Sequence, residues 1–278
     1  MAARKKPQLT DAARPATFEV EAYNERGEMV PTAIAGEHPL TLYLGKREIV
    51  TLMTLGHAPE ALAIGYLRNQ RLADSLEDIA AVQVDWETDS VAITTRSKKR
   101  LPSLKKRTVT TGCGQGTVFG DLMEEIDSVK LRKDVTLADA DLFVLLEKVR
   151  RHETIYKQAG AVHGCALATA AGEILMFVED VGRHNAVDAI AGFMWLDAID
   201  GSDKVFYTTG RLTSEMVIKC AQMRIPFLVS RSGLTQMGHA IAQKVGITML
   251  GRASGRHYLA FTGKERLVRT TPQPTALA

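Results

Sequence analysis

The chain has 278 residues, enough for one large domain or two modest ones of roughly 100–200 residues each. Its 45% hydrophobic and 24% charged residues are ordinary globular values, which exclude a fully disordered chain, a collagen and a disulfide-rich miniprotein. The formal charge of +3 is too small to indicate a nucleic-acid partner by itself. Three cysteines make no disulfide framework, and no secretory signal or membrane-length apolar run is present, so we expect a cytoplasmic protein that does not enter a membrane.

Alternating apolar and polar residues predict short strands in the first third of the chain. Phe18, Val20 and Ala22 alternate with charged residues, and two further runs, 40–44 and 48–54, flank a glycine-containing turn that is typical of a hairpin. Pro59 at a first helical position predicts a helix through about Asn69. Two more strands are expected, at 79–86 and 91–95.

The second half of the chain alternates between strands and helices. Thr136 is predicted to cap a helix that ends at about Arg151. The later strands are expected at 162–169, 173–179, 204–209, 226–230, 247–252 and 257–262, and the later helices at 183–199, 213–223 and 235–245. This alternation predicts an α/β layered domain around a largely parallel sheet, which holds ligands at the carboxyl ends of its strands.

A basic segment divides the two halves. Residues 96–107 carry seven Lys or Arg and no acidic residue. The segment is either a solvated connector or a basic collar that attracts an anionic ligand or an acidic partner. We therefore predict a disordered tail over 1–16, a small N-terminal α+β domain over 17–107, an α/β domain over 108–268 and a second disordered tail over 269–278.

The cysteines differ in their surroundings. Cys113 lies among three glycines, which predict an accessible loop. The basic segment upstream of it favours the thiolate, which is the reactive form of the side chain. A plain loop thiol or a phosphate-binding loop would also fit this pattern. Cys220 stands at helical spacing with methionines and is expected in a core. Cys165 alternates with His163 on a predicted strand, as either a core pair or part of a site.

Polar clusters follow several predicted strands. Segment 179–188 contains Arg183, His184 and Asn185 at a helix start, where they could bind an anion or form a capping network. Segments 208–215, 229–235 and 251–258 contribute further arginines and hydroxyl groups. Because an arginine fork matches a phosphate, these turns predict one pocket for a phosphorylated ligand. The residues expected in it are Arg183, His184, Asn185, Arg211, Ser230, Arg231, Arg252 and Arg256.

These segments, in this order, resemble the formate dehydrogenase accessory sulfurtransferase family (FdhD-type) over about residues 18–268. The segments that carry the resemblance are LGHAPEALAIGYL, TTGCG, GAVHGCAL, EDVGRHNAVD, TGRLTSEMV, RIPFLVSRS and GITMLGR. The resemblance implies a homodimer in which a small N-terminal domain precedes a cytidine-deaminase-like three-layer α/β/α domain. VGRHNAVD is the most specific of these segments.

The resemblance also implies a function. A cysteine desulfurase passes sulfur to Cys113 as a persulfide. The sulfur then goes to the molybdenum of a bound bis-(molybdopterin guanine dinucleotide), which guanine nucleotides such as GDP would mimic, before the cofactor enters the formate dehydrogenase catalytic subunit. The family's cofactor-binding segment maps onto Arg252, Ala253, Ser254, Gly255, Arg256 and His257.

The chain departs from the family pattern at two positions. Gly116 stands where many members have a second loop cysteine, and Arg252 stands where the family usually has Phe. The zinc ligands of deaminases are missing, so we expect neither a bound metal nor deamination. Two other functions remain open: a nucleotide- or RNA-binding module that uses 96–107, and a Cys/His hydrolase that uses Cys113 with His163 or His184.

Overall fold

The computed structural model describes residues 5–96, 108–109, 116–117, 126, 129–152 and 154–270. Its strands, in chain order, are β1 (Gln8–Leu9), β2 (Thr17–Tyr23), β3 (Met29–Ala35), β4 (His38–Leu44), β5 (Arg47–Thr54), β6 (Ile79–Asp85), β7 (Ser90–Thr95), β8 (Thr108–Val109), β9 (Gly116–Thr117), β10 (Leu137–Ala138), β11 (His163–Thr169), β12 (Ile174–Asp180), β13 (Lys204–Thr208), β14 (Phe227–Ser230), β15 (Thr248–Ser254), β16 (His257–Thr262) and β17 (Leu267–Val268). Its α-helices are α1 (Pro59–Asn69), α2 (Asp139–Arg151), α3 (Ile155–Ala159), α4 (Arg183–Leu196), α5 (Ser214–Gln222) and α6 (Gln236–Val245).

The chain forms two compact units that interleave in sequence. The first lies within 1–124, 153–165 and 178–199, and the second within 125–152, 166–177 and 200–278. The predicted division into consecutive domains, 17–107 and 108–268, differs from this arrangement, because two later stretches of chain return to the first unit. α3 and α4 therefore belong with the N-terminal strands.

The first unit combines a five-stranded sheet with a pair of helices. The sheet has the order β1-β6-β7-β4-β5, and β2 and β3 form a separate antiparallel pair. α1 and α4 approach so closely that a Cβ on Gly65 would lie 1.7 Å from the Asp188 carbonyl oxygen, and one on Gly192 would lie 1.9 Å from the Ala61 carbonyl oxygen. Glycine is needed at both contacts because any side chain would collide with backbone atoms.

The second unit contains most of a six-stranded sheet of order β12-β11-β13-β14-β15-β16; residues 163–165 of β11 and 178–180 of β12 belong to the first unit. β13, β14 and β15 run parallel, and β16 returns antiparallel to β15. Apolar residues of α2, including Leu142 and Leu145, pack in one core cluster with Phe227, Val229 and Leu250 of the sheet. The prediction of a mixed α/β fold is confirmed, and the carboxyl ends of the three parallel strands lie side by side.

Most predicted elements are confirmed, and the start of α2 is an exception. Thr136 does not cap this helix, which begins at Asp139 after an Ala138 N-cap. Leu137 and Ala138 instead form β10, which pairs in parallel with β17. The helix start is held by the Asp139 carboxylate, which accepts hydrogen bonds from the backbone N–H (2.8 Å) and the hydroxyl (2.6 Å) of Thr270.

Both predicted disordered tails contain residues with ordered structure. β1 pairs with β6, the backbone N–H of Arg14 donates to the Gly56 carbonyl oxygen at 2.8 Å, and the Trp86 indole N–H donates to the Ala12 carbonyl oxygen at 2.6 Å. In the second predicted tail, Thr270 is held by hydrogen bonds to the Asp139 carboxylate. The polar composition of 1–16 misled the prediction because the segment is held by contacts with distant residues, such as β6 and Trp86, that composition does not reveal. Among the described residues, no helix is long and apolar enough to cross a membrane.

Candidate functional site

The carboxyl ends of β13 and β14 lie next to each other in the second unit. Thr208 pairs with Ser230 in the parallel register, and both side chains are fully buried. The Ser230 hydroxyl donates to the Gly210 carbonyl oxygen at 2.6 Å and accepts from the Ser232 N–H at 2.9 Å. Ser230 therefore links the loop after β13 to the loop after β14 through its buried hydroxyl.

Further main-chain hydrogen bonds join three segments at the carboxyl ends of the parallel strands. Two of these segments follow β13 and β14, and the third begins in the last part of β15. The Leu212 N–H donates to the Gly233 carbonyl oxygen (3.0 Å), and the Thr235 N–H donates to the Leu212 carbonyl oxygen (3.1 Å). The Arg252 N–H donates to the Ser232 carbonyl oxygen at 2.9 Å. We call the segments 208–213, 230–235 and 251–257 the strand-end loops. The structure brings together the three arginine-bearing turns that the sequence predicted in this half of the chain.

The strand-end loops present cationic side chains to solvent. Arg211, Arg231, Arg252, Arg256 and His257 are all exposed, as are Ser254 and Gly255, whereas Ala253 is buried in the core cluster. Within the described part of the chain, the guanidinium groups of Arg211, Arg252 and Arg256 make no hydrogen bond or ion pair with protein atoms. Their donors are available for an anionic ligand, which arginine forks bind in bidentate fashion.

Arg252 has an unusual backbone conformation. Its φ angle is +52°, in the left-handed region that costs a non-glycine residue about 1 kcal/mol or more. An irregularity in the β15–β16 pairing between Gly251 and Ser254 accompanies this angle. Gly251 is tightly enclosed, since an added Cβ would lie 2.9 Å from the Phe261 ring. The fold thus holds Arg252 in a strained conformation, as is common where a ligand is bound.

Segment 179–188, the other predicted part of the pocket, lies in the first unit and is largely buried. The Asp180 carboxylate accepts four hydrogen bonds: from the Thr54 hydroxyl (2.5 Å) and the Leu55 N–H (3.2 Å) on one oxygen, and from the Gly182 N–H (3.0 Å) and the Asn185 amide (2.7 Å) on the other. Burial raises the pKa of Asp180, and these hydrogen bonds oppose the shift. The Asp180 carboxylate therefore links the start of α4 to the end of β5.

The neighbouring polar residues act in the same way. The Asn185 amide also donates to the Met53 carbonyl oxygen at 2.6 Å, and Asp188 accepts from the Asn69 amide at 2.7 Å. Glu179 accepts from the N–H groups of Ile155 and Tyr156 at the start of α3. Arg183 and His184 are only 4% and 2% exposed. Of the two interpretations of this segment, the buried polar network fits Asn185 better than ligand binding.

Residues 35–268 match the model of the FdhD/NarQ family. The chain belongs to this family. FdhD/NarQ membership confirms the resemblance that the sequence motifs indicated, and the match includes Cys113 and every predicted cofactor-binding residue.

Similar FdhD/NarQ proteins have a consistent description. The chain is 28% identical over 254 residues to a protein of Listeria monocytogenes named sulfur carrier protein FdhD, covering 90% of this chain and 95% of that protein. It is 32% identical over 240 residues to a protein of the same name from Shouchella clausii, covering 84% of this chain and 89% of that one. A crystal structure of a formate dehydrogenase accessory protein from Desulfotalea psychrophila matches with a TM-score of 0.76 and 27% identity, covering 91% of this chain and all of that chain.

The cysteines of this FdhD/NarQ chain fall into two groups. Cys165 and Cys220 are fully buried. Cys113 lies outside the described residues, between β8 and β9, whose antiparallel pairing aligns Val109 with Gly116. Among the described residues, no thiol is therefore accessible to a partner protein. In the same residues, no group of three or more His, Cys, Asp or Glu side chains is placed to hold a metal ion.

Sequence reasoning missed the partners of the buried network. Thr54 and Asn69 bind residues 126 and 119 positions away in the chain. No local signal marks either residue, since Thr54 ends an ordinary strand and Asn69 ends an ordinary helix. Only the tertiary fold identifies them.

Proposed function

We propose that this FdhD/NarQ protein is a sulfurtransferase that supplies sulfur to the molybdenum cofactor of formate dehydrogenase. It takes sulfur from a cysteine desulfurase on Cys113 and delivers it to a bis-(molybdopterin guanine dinucleotide) bound as cargo. The family match and the names of the relatives support the sulfur-carrier role. The structural neighbour supports the link to formate dehydrogenase.

The first transfer is a thiol exchange. The Cys113 thiolate attacks the outer sulfur of the desulfurase persulfide, forms a new S–S bond, and releases the desulfurase cysteine as a thiolate. Delivery then converts the outer sulfur of the Cys113 persulfide into sulfide, a step that takes two electrons. A dithiol reductant provides them: it becomes a disulfide, Cys113 returns to a thiol, and the sulfide becomes a ligand of molybdenum. Gly116 replaces the second loop cysteine of many relatives, so the reductant must be external.

The cargo site is assigned to the strand-end loops. The observation that supports it is the set of exposed arginines, Arg211, Arg231, Arg252 and Arg256, on loops that are fixed to each other by hydrogen bonds. Such a set matches the four phosphates of a bis-guanine-dinucleotide, and a rigid support keeps the ordering cost of binding low. Arg252 and the exposed residues 254–257 would contact the cargo most directly, whereas Ala253 is buried in the core cluster and would not; GDP would act as a partial mimic.

The remaining parts of the proposal rest on the family resemblance. They are a homodimer, a cytidine-deaminase-like arrangement of the α/β domain, a cytoplasmic location and contact with the formate dehydrogenase catalytic subunit. Light scattering tests the dimer directly. A mass that corresponds to the monomer alone at micromolar protein concentration would contradict it.

The function is tested by following labelled sulfur. A cysteine desulfurase is supplied with ³⁵S-cysteine, this protein, a dithiol and formate dehydrogenase that carries sulfur-free cofactor. We expect label in the formate dehydrogenase cofactor with wild-type protein and with Cys220→Ala, but not with Cys113→Ala. Equal labelling with and without this protein would contradict a carrier role.

A further inference from the structure

A pocket of about 770 Å³ opens in the second unit where α6 ends and β16 leads into β17. Its walls come from the last turn of α6, the end of β16, the turn that follows, and the segment before β10. None of its lining residues belongs to the strand-end loops, which carry the proposed cargo site. The pocket therefore needs an explanation of its own.

Arg266 is the unusual residue in this wall. It is only 6% exposed, and its Nη1 atom is buried with no hydrogen-bond partner. Among the described residues, no carboxylate lies within 4.0 Å of its guanidinium nitrogens. A buried guanidinium normally has an anionic partner, because an unpaired buried charge is strongly destabilising. Burial lowers the pKa of Arg266, with the nearby Glu265 charge opposing the shift.

The fold holds Arg266 firmly at this position. The next residue, Leu267, pairs with Leu137 in the short parallel ladder of β17 and β10, and the Arg266 N–H donates to the Gly263 carbonyl oxygen at 3.1 Å. Gly263 has a φ angle of +67°, and a Cβ there would lie 2.2 Å from the Thr248 hydroxyl. The turn that positions Arg266 thus accepts only glycine.

The other charges of the pocket are mainly positive. Lys133 and Lys264 line it from exposed positions, which with Arg266 gives three cations. The Glu265 carboxylate and the C-terminal end of α6, worth roughly half a negative charge, offset them in part. The net charge of the pocket lining remains positive. It comes from one buried guanidinium, that of Arg266, and two exposed ammonium groups.

We propose that this pocket is a separate anion site that binds a small molecule bearing a phosphate group. A phosphate oxygen against Arg266 would supply the partner that the described residues do not, and Lys133 and Lys264 would neutralise the remaining charge. The volume is in the range of small-molecule sites, so the pocket can hold more than the phosphate alone.

The test is calorimetric titration of the full-length protein with inorganic pyrophosphate. We expect the wild type to bind pyrophosphate at this pocket as well as at the strand-end loops, with the pocket component lost in Arg266→Gln and roughly tenfold weaker in Lys133→Gln/Lys264→Gln. The matched control is Lys130→Gln/Lys148→Gln, which removes two exposed lysines of the same unit that do not line the pocket. Arg252→Ala separates this site from the strand-end loops, and we expect it to keep the pocket component.

Three results would overturn the proposal. They are no pyrophosphate binding by the wild type, equal weakening in the two double-lysine variants, or a loss of binding that follows Arg252→Ala and not the pocket variants. The double-lysine variants decide the question even if Arg266→Gln fails to fold, because both lysines are exposed.

Discussion

Replacing Asn185 with alanine distinguishes a structural role for this residue from a role in ligand binding. Its buried amide donates to the Asp180 carboxylate at 2.7 Å and to the Met53 carbonyl oxygen at 2.6 Å. A hydrogen bond to a charged group contributes about 1.5–3 kcal/mol and one to a neutral carbonyl about 0.5–1.5 kcal/mol. Alanine is the better helix former by about half a kcal/mol, so the net loss should be roughly 1.5–4 kcal/mol.

Urea unfolding followed by circular dichroism measures this loss. The matched control is Arg256→Ala, because Arg256 is exposed and makes no hydrogen bond or ion pair with the described residues, so the free energy of unfolding of this variant should differ from that of the wild type by less than about 0.5 kcal/mol. The opposite pattern would refute the reasoning: Asn185→Ala as stable as the wild type, yet unable to bind a guanine nucleotide. Asn185 would then belong to the ligand site and not to the buried network.

Three further predictions concern other parts of the molecule. Gly65→Ala should lower the free energy of unfolding by about 3 kcal/mol or more, since its Cβ meets backbone 1.7 Å away, whereas Gly233→Ala, with open space around it, should be near neutral; equal stabilities in urea would contradict the packing of α1 on α4. Because the pKa of Asp180 is raised in the folded state, its contribution to stability is greatest below the usual aspartate pKa and declines as pH rises through the folded value; a pH series should show this slope in the wild type and not in Asp180→Asn, and an identical slope in both would be evidence against it. Arg252→Ala should weaken GDP binding by about 1–3 kcal/mol in calorimetry while Arg252→Lys loses less, and no GDP binding by the wild type would count against the cargo site.

Secondary structure was predictable where a local signal exists. Pro59 fixed the start of α1 correctly because proline suits the first helical turn. The hairpin of β4 and β5 followed from alternation around a glycine turn. Thr136 failed as a cap because Leu137 and Ala138 pair with β17, about 130 residues away, and a cap signal carries no information about such pairing. β1 was missed for the same reason.

The candidate site was predictable only in part. Arginines after parallel strands indicated the strand-end loops, since chain order places those ends at one edge of the sheet. The polar segment 179–188 gave a similar signal, but its carboxylates and amide are used inside the first unit. Composition at a helix start cannot separate an anion site from a capping network, because both need the same side chains. The hydrogen bonds that join Thr54 to Asp180 and Asn185 to Met53 favour the network, and Asn185→Ala tests that interpretation.

Peptide mass mapping after incubation with a cysteine desulfurase and free cysteine tests the central claim most directly. Cys165 and Cys220 are fully buried, and thiolate access controls exchange, so one added sulfur should appear on the peptide that contains Cys113. The increment should disappear in Cys113→Ala and persist in Cys165→Ala and Cys220→Ala. An increment found mainly on the Cys165 peptide would contradict the account and move the sulfur-carrying site to β11.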